Sequence, residues 1–262
     1  LMLACFGEAG VVLDRSDYID VATRNARFLL SNLRKDGFLL RSYKDGTAKF
    51  NAYLEDYAFV VEALVTLFET TGEYEWLKEA LSLTDLMVNE FWDDQNGAFF
   101  FTGKSHENLI VRSKHFFDNA TPSGNSVAAN ALLRLSLLTN NERYRNLALT
   151  VLNEIADQAR RYPSGFGYAL SDIDFLLSSP KEVAIVGKDL ASLRSFISES
   201  WGQYRPNKVV APILNDDLAV VSDVALLQNR SLQDGLTTAY VCQNYVCNQP
   251  VTNITSLGQQ LD

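Results

Sequence analysis

Carboxylates and small polar side chains stand at the head of two apolar runs in this sequence, a placement that could serve chemistry. In "YLEDYAF" Glu55, Asp56 and Tyr57 open one run; in "FDNATPSGNS" Asp118, Ser123, Asn125 and Ser126 open the next, "VAANALLRL". Acids of this kind can give and take protons. Helix N-termini beside them would add unpaired amides and a positive dipole end, which suit hydroxyl or anionic ligands. Basic residues lie just upstream: Arg41, Lys44 and Lys49 before the first run, Arg112, Lys114 and His115 before the second. Acids, bases and amides gathered at one mouth describe a polar small-molecule site.

Each of these residues also has a plainer use. Ser123, Asn125 and Ser126 are good N-cap types behind a helix-starting Pro122, and Glu55 and Asp56 are acids of a first turn. Asp118 lies several residues ahead of its helix, where simple capping explains it least, and is the first catalytic candidate. Glu55 and Asp56 follow it. Tyr57, Arg41, Lys114, Ser123, Asn125, Ser126 and Trp92 are the candidates for binding substrate, although Trp92 with Phe99-Phe100-Phe101 equally reads as packing.

Other chemistries find little support. His106 and His115 share one loop and make neither a metal constellation nor a Ser-His-Asp arrangement. Gly187 after "EVAIV" stands alone, without the glycines of a dinucleotide fingerprint. No metal and no cofactor are expected. Cys242 and Cys247 lack CxxC spacing, so a structural or free-thiol role is expected of them.

The elements that must position the candidates come in repeats. "DYAFVVEALVTLFETTGEYEWLKEALSL" can be laid on "GNSVAANALLRLSLLTNNERYRNLALTV" at a constant interval of 68 residues without a gap. Each copy reads as an apolar inner helix, a short turn and an amphipathic outer helix. The outer stripes are Trp76, Ala80, Leu83, Met87, Phe91 and Tyr144, Ala148, Val151, Ile155, Ala159. An earlier partial copy carries Tyr18, Ala22, Leu29 and Leu33 behind an inner helix over Leu1 to about Ala9. Long loops with strand-like runs at Phe38–Tyr43, Phe99–Thr102 and Leu109–Lys114 favour an α/α toroid over an open solenoid. The fold class expected is mainly α: a partial α/α toroid of about two and a half helical hairpins over 1–177, and a small α/β subdomain over 178–262. In the latter, "EVAIVG", a helix over Asp189–Ser200 and "KVVAPI" make a βαβ unit, with further strands at Ala219–Leu226 and Thr237–Cys242.

Composition sets the outer limits. A net charge of −9 and a pI near 4.8 speak against a nucleic-acid partner. No apolar run reaches the ~20 residues that span a bilayer, so neither membrane nor nucleic acid is an expected partner. Three cysteines are too few for a secreted disulfide framework, which points to a reducing, cytoplasmic setting. The abrupt apolar start at Leu1 reads as a piece of a longer protein.

At "YLEDYAFVVEAL", "FWDDQNGAFFFTG", "PSGNSVAANALLRL", "PNKVV" and "TTAYVCQNYVCNQPVT" the chain resembles the C-terminal part of the YyaL-type, spermatogenesis-associated thioredoxin-domain-containing proteins. The resemblance implies an α/α toroid related to six-hairpin glycosidases and N-acylglucosamine 2-epimerases. It also implies that an N-terminal thioredoxin-like domain and the first half of the toroid are missing partners. A sugar or polyol ligand is expected, with no settled reaction. Glu55 or Asp56 with Asp118 would form a glycosidase-like pair, whose separation sets retention or inversion. Epimerisation by inner-helix histidines is not matched by His106 or His115. The alternative is a non-catalytic interaction or scaffold module that supports the thioredoxin-like domain.

Overall fold

The computed structural model describes residues 1–107, 109–244 and 246–262. Among these, helices α1 (Met2–Val12) and α2 (Ser16–Asn32), α3 (Leu54–Thr71) and α4 (Tyr74–Phe91), and α5 (Gly124–Thr139) and α6 (Glu142–Arg161) form successive hairpins. Helix α7 (Gly167–Leu177) follows as a further inner helix, one more than the sequence repeat shows. Helices α1, α3, α5 and α7 pack in a row, backed by α2, α4 and α6.

Apolar content decides which helix is inner. In α3 and α5, Leu64, Leu67, Phe68, Leu132 and Leu135 are wholly buried, and burying each such side chain stabilises by about 1.5–3 kcal/mol. In α4 and α6 the two stripes read from the sequence are buried throughout, while the opposite faces meet solvent. The interval of 68 is kept: α3 ends at Thr71 and α5 at Thr139, with Gly72 (φ 75°) and Asn140 (φ 54°) as left-handed C-caps at matching places.

Two sheets accompany the helices. Strands β1 (Arg34–Lys35), β2 (Phe38–Lys44) and β3 (Thr47–Asn51) form an antiparallel sheet ahead of α3, with Asp45 and Gly46 both at positive φ in the hairpin turn. The second sheet has the order β5-β4-β6-β7, from β4 (Lys181–Gly187), β5 (Lys208–Leu214), β6 (Thr238–Gln243) and β7 (Val246–Cys247). Strands β4 and β5 are parallel and joined through α8 (Leu190–Trp201), the βαβ unit read from the sequence. Its alternation divides two cores. Ala184, Val186, Val209, Ala211 and Ile213 face the inner helices, and Val183, Ile185 and Val210 face α8 and α9 (Ile254–Leu261).

Three expected strands are not formed. At 99–102 Phe99 makes one bridge to Trp92, because Asn125 takes the place of a strand partner: its Oδ1 accepts from Phe99 N at 2.9 Å and its Nδ2 donates to Phe99 O at 2.9 Å. Residues 109–114 run as irregular chain, with Ile110 fully exposed and no face to bury. The segment 219–226 lies in 3-10 turns over Asn215–Val220 and Ala225–Leu227. Its buried residues Val221, Val224 and Leu226 are not spaced by two throughout.

Candidate functional site

The mouth at the heads of α3 and α5 encloses a cavity of about 490 Å³ that includes Glu55, Lys114, His115, Ser123 and Gln158 in its lining. Around it most polar groups are already engaged. Asp118 Oδ1 accepts from Ser123 N at 2.8 Å, and Oδ2 accepts from Tyr168 N at 3.0 Å and Ala169 N at 3.3 Å, so one carboxylate serves the heads of α5 and α7 together. Ser123 caps α5, accepting from Ser126 N at 3.1 Å, and the two hydroxyls meet at 2.8 Å. Asn125 holds Phe99 and donates to His115 O at 3.0 Å. Arg41 Nη1 donates to Glu55 and Asp56 at 3.0 Å each, and Asp56 also accepts from Tyr53 N at 2.9 Å. Burial pushes the Asp56 carboxyl up against those donors.

The remaining mouth candidates pack. Tyr57 is buried and its hydroxyl accepts from Leu39 N at 2.8 Å. Lys114 pairs with Asp93 at 2.7 Å and holds that carboxyl well below the usual range. Trp92 stands edge-on to Phe99, ring centres 4.9 Å apart. His106 and His115 stack on Tyr53 and Phe101.

A second constellation lies along the inner helices. A cavity of about 470 Å³ is lined by Glu8 from α1, Glu62 and Glu69 from α3, Asn130 and Arg134 from α5, Tyr168 from α7, Trp201 at the end of α8, Tyr204 and Arg205 after it, and Lys208 at the start of β5. Here the polar groups pair with one another. The Tyr168 hydroxyl donates to Glu62, Arg134 pairs with Glu69 at 3.2 Å and donates to Thr66 Oγ1 at 3.1 Å, and Asn130 Nδ2 donates to Asp172 Oδ1 at 2.8 Å. Asp172 is wholly buried and its Oδ2 has no partner among the described residues.

Burial governs the electrostatics. It raises the Glu69 carboxyl, with Arg134 pulling the other way, and raises Asp172 well above the usual carboxylate range against the donation from Asn130. Burial also raises the Tyr168 phenol, reinforced by Glu62. Lys208 is lowered to about 8, chiefly by burial; its Nζ lies 4.2 Å over the Trp201 ring. Burial thus favours the protonated form of both the Glu69 and Asp172 carboxyls relative to water. Among the described residues no group of three His, Cys, Asp or Glu is placed to hold a metal ion.

Sequence reading missed this inner constellation, yet a signal was present. At the interval of 68, Glu62 coincides with Asn130 and Thr66 with Arg134: polar residues at matched places in two apolar helices. Glu62 and Glu69, Asn130 and Arg134, and Tyr168 and Asp172 also fall at helical spacings of seven or four, which sets each pair on one face.

The fold and this lining define a layer of helical hairpins with a polar cavity along its inner row. The chain is a relative of spermatogenesis-associated protein 20, in keeping with the motif resemblance. The human protein of that name is 30% identical over 274 residues, covering all of this chain, and the rat protein is likewise 30% identical. An uncharacterized Caenorhabditis elegans protein is 27% identical over 256 residues. The chain spans about a third of the length of these curated relatives, 35% of the human protein. No protein-family model matches it. Among solved structures, the cellobiose 2-epimerase of Spirochaeta thermophila aligns with a TM-score of 0.48 at 20% identity, over 59% of this chain and 41% of that one. None of the described helices is long and apolar enough to cross a membrane.

Proposed function

We propose that the inner-helix cavity binds a sugar or polyol and that its carboxyl groups carry acid–base chemistry on that ligand, within a partial α/α toroid. One observation carries the reading: four successive inner helices each place polar or titratable side chains against the same cavity. Polar groups in such helices are costly to bury unless they are paired or used, and here Glu62, Glu69 and Asn130 are paired around a cavity of small-molecule size. Glu62, bonded to the Tyr168 hydroxyl, takes the part of the carboxylate base; Asp172, whose carboxyl burial raises against the donation from Asn130, is the proton reserve behind it. On this reading Glu55, Asp56 and Asp118 organise the mouth, with Arg41, Lys114, Ser123, Asn125 and Ser126.

A thermal-shift screen of the intact natural protein against neutral sugars, sugar phosphates and polyols tests this. A ligand present at about 100 times its dissociation constant adds roughly 2.7 kcal/mol to the stability of the form it binds. A shift with at least one neutral sugar or polyol supports the reading. No shift with any compound overturns it and moves the assignment to a scaffold that holds a thioredoxin-like domain.

A further inference from the structure

Cys242 on β6 and Cys247 on β7 are joined by a disulfide across the last strand pair, at the edge of the sheet. The two sulfurs differ in access. Cys242 is buried at 2% exposure, while Cys247 lies exposed on a two-residue edge strand beside the exposed Val246. One cation faces both: Arg230 Nη2 lies 3.4 Å from Cys242 Sγ and 3.3 Å from Cys247 Sγ.

Arg230 is held in that place by groups that do not neutralise it. Its guanidinium stacks over the Tyr240 ring at 4.8 Å, and its Nε donates to Leu226 O at 3.4 Å. The Tyr240 platform is itself fixed, because its hydroxyl donates to Ser231 O at 2.7 Å and accepts from Gln233 Nε2 at 3.1 Å. Among the described residues no carboxylate comes within 4.0 Å of the guanidinium. The acid that acts on this region is Glu182, opposite Cys242 in the register; burial raises its carboxyl and Arg230 opposes that. A fixed, unneutralised cation against a disulfide contributes nothing to the oxidised form, whose sulfurs carry no charge, but it strongly favours a thiolate.

We propose that Cys242 and Cys247 form a thiol–disulfide exchange site reduced by a dithiol, in which Arg230 stabilises the departing thiolate. The thiolate of the dithiol attacks the exposed Cys247 Sγ, the bond between the two cysteines breaks, and Cys242 leaves as a thiolate facing Arg230. The second thiol of the dithiol then loses its proton and attacks the mixed disulfide, releasing Cys247. Two electrons pass from the dithiol, which ends as a disulfide, to the pair, which ends as two thiols.

The test uses the intact natural protein, dithiothreitol as the dithiol, and peptide mass spectrometry after alkylation. Cys5, exposed and free, serves as an internal reference thiol. Expected results are reduction of the pair while the protein stays folded, and alkylation of Cys247 with a midpoint at lower pH than Cys5. Arg230→Met should slow reduction by about tenfold, as a poorer leaving thiolate does, and bring the Cys247 profile up to that of Cys5, whereas Arg230→Lys should retain most of both effects. A merely structural Arg230 would change the melting temperature and leave the alkylation profile unmoved. Two results overturn the proposal: reduction only on unfolding, or a Cys247 profile equal to that of Cys5 and indifferent to Arg230→Met.

Discussion

The mouth and the inner wall are both rich in polar side chains, and they use them in opposite ways. At the mouth the partners are mainly backbone: Asp118 serves three amides, Ser123 caps α5, and Asn125 stands in for a strand. Helix ends leave four amides without intrahelical partners, so acids and hydroxyls there are readily absorbed by structure. Along the inner wall the backbone is already paired within each helix, so side chains find one another: Glu62 with Tyr168, Glu69 with Arg134, Asn130 with Asp172. A polar residue in mid-helix on a buried face therefore finds a side-chain partner, whereas a polar cluster at the helix head is taken up by backbone.

The comparison can be broken at several places. Arg134→Ala leaves Glu69 buried without its partner and should cost about 3–5 kcal/mol, the range for breaking a buried pair, read by denaturant unfolding. If the loss is below 1 kcal/mol, the inner pairs are not the tight units described. Asp118→Ala orphans the amides of Ser123, Tyr168 and Ala169 and should cost roughly 2–3 kcal/mol, with Asp118→Asn costing less because one oxygen remains. A ligand that still binds the folded Asp118→Asn protein would sharpen the contrast, and loss of binding with full stability would return Asp118 to the chemistry.

A smaller effect lies in the pH dependence. The Asp172 carboxyl is raised in the folded chain from its ordinary 3.8, so its contribution is fully present below 3.8 and is lost as pH rises through the raised value. Unfolding measured between pH 4 and 8 should therefore show stability draining away with rising pH, and Asp172→Asn should flatten that slope. A slope unchanged in the variant would mean that Asp172 is ionised. The smallest change is expected from Arg41→Ala, whose side chain is 41% exposed and whose pairs with Glu55 and Asp56 should be worth under about 1 kcal/mol together.

The repeat was legible because it rests on apolar spacing, which burial enforces at each position: Trp76, Ala80, Leu83, Met87 and Phe91 are all in the core, as are Tyr144, Ala148, Val151, Ile155 and Ala159. The βαβ unit showed for the same reason, its strands being short apolar runs bounded by Pro180, Gly187 and Pro206. The place of α7 as a further inner helix was hidden by Asp172 and Asp174, which break its apolar pattern even though Asp172 is buried. Strand expectations failed where side chains replaced backbone partners, as Asn125 does for Phe99. The disulfide was invisible because Cys242 and Cys247 match no motif; only the pairing of β6 with β7 brings them opposite each other. Glu62, Asn130 and Arg134 were obscure because each is a lone polar letter within an apolar run, and helix packing alone gathers them.

The most direct test of the inner-wall assignment is a calorimetric titration of the sugar or polyol that gives the largest thermal shift, into the natural protein, Glu62→Gln and Glu55→Gln in parallel. Loss of at least tenfold in affinity with Glu62→Gln, and affinity within twofold of the natural protein with Glu55→Gln, is the predicted result. Binding that survives Glu62→Gln and fails in Glu55→Gln would contradict the account and put the ligand in the mouth.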